Sequence, residues 1–403
     1  MTVLLLSYYF EPDLSAGSFR NTPLAYELAR QLGDAGTVHV ITTQPNRYQS
    51  FRAEAAAEEW HNNLRINRIA VPNHDSGFAD QIRSYSHFYR GALALTRHQS
   101  YDLVIASSSR LFSGFLGAYL ARRQRVPLVL DIRDLFRENI LELLRNPVVK
   151  LGLSPALKWV EQYTFGAARH INLVSAGFVD YFSRYTQATY SYFTNGIDDH
   201  FLNFPATPMR SADRPRVILY AGNIGEGQGL EKIIPAAAQQ LGSPYRFVVI
   251  GDGGTQTRLQ RTVQERQLTN VDIRPPMSRR ALLAEYEQAD YLFMHLNDLK
   301  AFERCLPSKL FEYAATDKPL IAGVAGYAAQ FVRQHVPNSI VFAPGDVAAF
   351  VEQLRQTPYR NEVRTAFIEQ FRRQAIIQAL ASLALETAGL SQKAILEKAD
   401  LLS

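Results

Sequence analysis

Short apolar runs alternate with longer stretches of helical spacing along almost the whole chain. TVLLLSYY opens it, and NTPLAYELARQLG, closing on Gly33, places its apolar residues at helical intervals. VHVITTQ, INRIAVP, DLVIASSS, VPLVLDIRD, HINLVSA and TYSYFTNG follow as strands, with helical stretches between several of them. Strands that are apolar on both faces and separated by helices predict a parallel sheet wrapped by helices. The pattern breaks over 199–216, DHFLNFPATPMRSADRPR, a proline-rich polar stretch with the character of a linker. It restarts with RVILYAG, YRFVVIGDGG, VDIRPPM, YLFMHL, PLIAGV and SIVFAP. The second half therefore predicts a second Rossmann-like, doubly wound α/β domain, and the stretch from about Pro358 to Ser403 reads as helical throughout.

Length supports that division. A chain of 403 residues exceeds one ordinary core and suits two domains. At 47% hydrophobic and 20% charged it has a globular composition, and a net charge of +5 is too modest for a general nucleic-acid binder. The single cysteine, Cys305, rules out an intramolecular disulfide scaffold and is compatible with the cytosol. The start lacks a basic leader, and no apolar run reaches the roughly 18–20 residues of a spanning helix. The expectation is a cytoplasmic protein, at most peripheral on the inner face of a membrane.

Open parallel sheets bind ligands at the carboxyl ends of their strands. In the first domain those ends are Glu11–Arg20, Ser107–Arg110, Asp131–Glu138 and Thr194–Asp198, the last including Asn195. In the second they are Gly222–Gly229, Gly251–Gly254 and Pro307–Glu312. Gly17 precedes a helix N-terminus, which favours an anion, and Arg20 adds charge there; an ordinary strand–helix turn is the alternative. Gly222 and Gly225 in GNIGEGQG can admit a diphosphate to the backbone, with Asn223 and Gln228 as neutral hydrogen-bonding groups; a plain tight turn would need the same glycines. Gly251, Asp252 and Gly253 form a similar turn. In LPSKLFEY, Pro307 and Ser308 open a short helix whose first turn holds Lys309, hinting at an anion. Glu312 can accept hydrogen bonds from ribose hydroxyls, and a surface capping arrangement is the alternative. DIRDLFREN offers Asp131, Arg133, Asp134, Arg137 and Glu138. These read either as an ion-pair network or as a carboxylate that takes a proton from an acceptor hydroxyl. His295, inside an apolar run, reads as a core histidine. On the stretch 80–98, Arg83, His87, Arg90 and Arg97 share one helical face, and Phe78, Ile82, Tyr85, Tyr89 and Leu93 another. That is a solvated face or, alternatively, a contact with anionic lipid or a phosphate-bearing acceptor. No spacing suggests a metal cluster.

Taken in order, EPDLSAGSFR, DIRDLFRE, TNGID, YAGNIGEGQGLE, VIGDGG and LPSKLFEYAATDKP resemble glycosyltransferase family 4, retaining enzymes of the two-domain GT-B fold. The nearer likeness is to the bacterial polysaccharide branch typified by N-acetylfucosaminyltransferase-like enzymes. The resemblance implies two Rossmann-like domains with an interdomain cleft. Residues 1–200 would form the acceptor domain, 201–215 the linker and 216–375 the nucleotide-sugar domain, with 376–403 crossing back to the first. It implies a UDP-sugar donor, a lipid-linked saccharide acceptor, and neither a cofactor nor an essential metal. Gly17 would touch the donor diphosphate, Lys309 with Ser308 would hold it, and Glu312 would bind the ribose. Gly251–Gly254 would border the base, and Asp134 would lie by the acceptor. Arg304, Asn223, Gln228 and Arg133 depart from the broad family's pattern. A UDP-sugar 2-epimerase-like enzyme and an inactive transferase-like partner subunit stay open as alternatives.

Overall fold

The computed structural model describes residues 1–13, 15–46, 54–72, 78–108, 111–144, 146–202, 204–205 and 214–389. Ser109 and Arg110, most of the expected linker, and the last fourteen positions lie outside these. Two compact units emerge: residues 1–195 with 374–403, and residues 196–373.

The first unit holds β1 (Thr2–Leu6), β2 (Thr37–Thr43), β3 (Glu58–His61), β4 (Leu64–Ile69), β5 (Leu103–Ser107), β6 (Leu128–Ile132), β7 (His170–Leu173) and β8 (Thr189–Ser191). They form one sheet in the order β3-β4-β2-β1-β5-β6-β7-β8. Every pairing is parallel except β3 with β4. The second unit holds β9 (Arg216–Ala221), β10 (Tyr245–Ile250), β11 (Val271–Arg274), β12 (Tyr291–His295), β13 (Leu320–Gly323) and β14 (Ser339–Phe342). Their order is β11-β10-β9-β12-β13-β14, parallel throughout.

Alternate residues of the second sheet serve two cores. Leu219, Val248, Ile250, Leu292 and Met294 pack on one face, and Ile218, Tyr220, Phe247, Val249 and Phe293 on the other. That is why these strands read as unbroken apolar runs. The helix Ser18–Leu32 buries Leu24, Ala25, Leu28 and Leu32 against β1 and β2, and Gly33 ends it at φ +50°.

Three features depart from the sequence reading. β3 is polar and exposed, so it carries no apolar signal; a two-residue turn with Asn62 at φ +54° pairs it antiparallel with β4. The first unit ends at Asn195 rather than at residue 200, and Gly196–Phe201 belongs to the second. The C-terminal stretch is not continuously helical. Helices run Thr365–Gln370 and Arg373–Thr387, and between them Arg372 bridges Ile197 in strand fashion. Ile197 N–H donates to Phe371 O at 2.7 Å and Arg373 N–H donates to Ile197 O at 2.9 Å, which takes those peptide groups out of any helix. The final helix buries Ile377, Leu380, Ala381, Ala384 and Leu385 with the first unit's core.

Candidate functional site

In each sheet the strand order reverses beside the first strand of the unit. β1 has β2 on one side and β5 on the other, and β9 has β10 and β12. The turns that follow β1 and β9 thus leave at topological switch points, where open α/β sheets have a crevice at their strand ends.

After β9, the glycine turn meets a side chain from a distant segment. Gly222 has φ +144°, and a Cβ there would overlap the Lys309 ammonium. The room made by the missing side chain is filled by that cation. Lys309 Nζ also lies 5.4 Å from the centre of the Tyr220 ring, a cation–π contact at the end of β9. Gly251 and Gly253, at φ +151° and +156°, let the GDGG turn pack directly on the backbone of Gly222 and Ile224. Ile224 N–H donates to Asp252 O at 2.9 Å, and Asp252 Oδ1 accepts from Gly253 N–H at 2.7 Å. Over Gly225 lie the side chains of Asn223 and Gln228, joined by a 2.8 Å hydrogen bond from Asn223 Nδ2 to Gln228 Oε1. Of the two glycine turns, one therefore supports the other.

The helix Lys309–Ala314 is set by Tyr313, fully buried, whose hydroxyl accepts from Ala221 N–H at 3.0 Å. That bond ties Lys309 to the end of β9. Ser308 makes no side-chain cap, so the capping alternative fails at that residue. Glu312 faces Arg279, Nη1 to Oε1 3.3 Å. Arg279 also reaches Asp198 at 3.2 Å, which Arg373 pairs at 2.7 Å. Burial works against the Asp198 charge, yet Arg373 and Arg279 hold its pKa down at about 2. Neither Arg279 nor Tyr313 was singled out from sequence. Their only signals are a cation 33 residues before the glutamate and an aromatic one turn after the lysine. His295 is the core histidine expected: Nδ1–H donates to Gln228 O at 2.6 Å, Nε2 accepts from Gly345 N–H at 3.0 Å, and burial lowers its pKa to about 4.

After β1 and β6 the picture splits. Arg20 requires a correction. It is 1% exposed, grips Asp131 with Nε at 2.6 Å and Nη2 at 2.9 Å, and donates to the carbonyls of Thr194 and Phe193 at 2.6 and 2.9 Å. Asn172 adds a 2.7 Å bond to Asp131. Burial opposes the Asp131 charge, but Arg20 and Asn172 keep its pKa below the usual value. Arg20 is thus an internal strut, its guanidinium committed to the protein and not presented to a ligand.

Gly17 caps the helix Ser18–Leu32, and a Cβ on it would stand 3.2 Å from Arg133 Nη1. Arg133 occupies the position that sequence gave to Arg20, a guanidinium at the helix start. Its backbone N–H reaches Ser108 Oγ at 3.4 Å. Asp134, next in the chain, is partly buried, and burial raises its pKa to about 6 while Arg133 pulls it back. Glu138 lies in the first turn of the helix Phe136–Leu143, and Asn195 is buried at the end of the unit. On the helix Phe78–Thr96, Arg83, His87 and Arg90 are exposed, as is Arg97 just after its end, as a solvated face would be. The side chain of Phe78 lies outside the described residues. No helix among the described residues is long and apolar enough to cross a membrane.

Comparison with known proteins fits this division. Residues 22–189 match the glycosyl transferase 4-like domain family, and residues 208–374 match the glycosyl transferases group 1 family. A curated relative, the putative colanic acid biosynthesis glycosyl transferase WcaI of Escherichia coli (strain K12), is 33% identical over 165 residues. That match covers 39% of this chain and 40% of the relative, well under half the relative's length. Sucrose-phosphate synthase from Thermosynechococcus elongatus shares the fold, with TM-score 0.67 and 16% identity over 100% of this chain and 98% of its own. So does Anabaena Alr3699/HepE in complex with UDP, with TM-score 0.57 and 16% identity over 100% and 99%.

Proposed function

Because the chain belongs to the GT-B glycosyltransferases, with a family 4-like domain followed by a group 1 domain, we propose that it moves a sugar from a UDP-sugar to a saccharide acceptor. The transfer retains the anomeric configuration and serves surface or exopolysaccharide assembly, with a lipid-diphosphate-linked acceptor. The observation that carries this reading is Lys309 lying over Gly222 at the switch point of the second sheet. A departing nucleoside diphosphate gains negative charge, and a cation fixed in place before the reaction stabilises that charge without reorganising. Arg279 donates to one oxygen of Glu312, which orients the carboxylate to accept from ribose hydroxyls. The Asn223–Gln228 pair and the GDGG turn complete the donor side. On the acceptor side, Arg133, Asp134, Glu138 and Asn195 meet the saccharide. A carboxyl with a pKa of about 6 accepts or donates a hydrogen bond near neutral pH, suited to an acceptor hydroxyl whose proton finally passes to the departing diphosphate. The colanic acid relative and the UDP-bound neighbour agree with this reading in kind.

The test is a thermal-shift series with UDP, GDP, ADP, CDP, dTDP and NAD, each with and without magnesium. A ligand at a hundred times its dissociation constant adds about 2.7 kcal/mol. Selective stabilisation by UDP without metal, lost in Lys309→Ala, is the expected result. A folded protein that none of the nucleotides stabilises would overturn the donor reading in favour of a non-catalytic partner subunit.

A further inference from the structure

The helix Pro147–Phe165 turns its apolar face outward. Asn146 caps it by accepting from Val148 N–H at 2.9 Å, and Pro147 stands in its first turn, so the helix start is well formed. Leu157, Glu161, Thr164 and Phe165 are its buried residues. On the other side Val148 is 76% exposed, Leu151 77% and Trp159 58%, with Val149 at 48%. Val148, Leu151, Pro155 and Trp159 follow one another at three- and four-residue steps, the spacing of a single helical stripe. Such a stripe normally faces a core; here it faces solvent.

The exposed charges on this helix and on Leu111–Gln124, one of the helices packed against it, have one sign. Lys150 and Lys158 are exposed on the helix, and its sole acid, Glu161, is 1% exposed. The adjoining helix Leu111–Gln124 contains no acid and ends in exposed Arg122 and Arg123. Its Phe115 packs against Trp159 and Tyr163 at 6.0 and 5.0 Å between ring centres, and the Arg122 guanidinium lies 4.7 Å from the Tyr163 ring. Aliphatic tips, aromatic rings behind them and a rim of cations make the pattern of an interfacial helix on a negatively charged bilayer.

We propose that residues Val148–Trp159 are the surface by which the protein docks on an anionic membrane, in place of the basic stripe of Phe78–Thr96. That stripe has Ile82 as its one large exposed apolar side chain among the described residues. The inference deepens the reading of a lipid-linked acceptor and rests on it for its purpose. The buried Glu161 of the docking helix accepts from Tyr181 Oη at 2.5 Å and lies 3.8 Å from Arg137 Nη1. Arg137 is three residues from Asp134, so the same carboxylate anchors the docking helix and the acceptor-side helix.

Vesicle co-sedimentation of the full chain tests it, with phosphatidylcholine vesicles and vesicles containing one-third phosphatidylglycerol. The wild type is expected to bind the anionic vesicles, with a blue shift of Trp159 fluorescence that persists in Trp60→Phe. Leu151→Ser with Trp159→Ser should weaken binding at least tenfold, with an unchanged circular dichroism spectrum and UDP thermal shift. Lys150→Glu with Lys158→Glu should remove the preference for anionic lipid. Undiminished binding in the first double variant, or loss only in Arg83→Glu with Arg90→Glu and Arg97→Glu, overturns the assignment. So does a wild type that ignores vesicles but self-associates through this helix in light scattering. The UDP series reports separately on the transferase reading, so a chain that docks without binding nucleotide would refute that reading and leave the docking surface standing.

Discussion

Asp131 and Asp134 lie three residues apart at the end of one strand, each beside an arginine, and their surroundings push them in opposite directions. Asp131 has Arg20 in a two-pronged grip, Asn172 on the same carboxylate and almost no contact with water. Its charge is fully matched, so it stays ionised. Asp134 has Arg133 as a neighbouring charge but is burdened by burial, and its pKa climbs to about 6. A buried carboxylate with every hydrogen bond made holds the fold together; one left partly uncompensated can exchange a proton with something else. Reading both from DIRD as a single cluster missed that division.

The widest test of the contrast is Arg20→Ala. It leaves Asp131 buried without its counter-ion and should cost about 3–5 kcal/mol in denaturant unfolding, whatever nucleotide is present. A loss under 1 kcal/mol would mean that the pair is not a strut. Next, Asp134→Asn should lower sugar-transfer turnover by about 10²–10⁴-fold while leaving UDP affinity unchanged. It should also raise stability. A carboxyl whose folded pKa exceeds the ordinary 3.8 contributes stability below pH 3.8 that is lost as pH rises through 6. The asparagine variant escapes that loss, so above pH 6 it should gain up to about 3 kcal/mol, less where water reaches the carboxylate, and nothing below pH 4. A variant equally stable at both pH values would show Asp134 to be solvated like any surface acid.

A smaller effect is expected in the other unit, where Gly222→Ala must displace Lys309 and should weaken UDP binding by about tenfold, or ~1.4 kcal/mol. Unchanged UDP affinity in a folded variant would separate the lysine from the donor. Smallest of all, Gly17→Ala presses on the flexible end of Arg133 and should change stability by about 1 kcal/mol or less. A larger loss would show that the helix start is rigidly packed rather than kept open.

Much of this was legible in the residues themselves. Thirteen apolar runs became thirteen of the fourteen strands among the described residues, because a strand buried on both faces must be apolar at successive positions. The helix start at Gly17 and the short helix at Lys309 were equally plain, since caps and turns are local chemistry. β3 escaped because an exposed edge strand needs no apolar residues, although its Asn62–Asn63 turn was a usable sign. The outward stripe of Pro147–Phe165 was invisible for the reverse reason: periodicity says that a helix has an apolar face, not what that face meets.

What the chain determined alone was the alternation of elements, the strand-end positions of its polar residues and the places where glycine is required. Tertiary structure decided which charge meets which. Arg20 lies 111 residues from Asp131, and Lys309 lies 87 from Gly222. No local pattern specifies such pairings, because they arise only when distant strands align in a sheet. Once aligned, the energy of a charge depends on burial and on its partner at a few ångströms far more than on its neighbours in sequence.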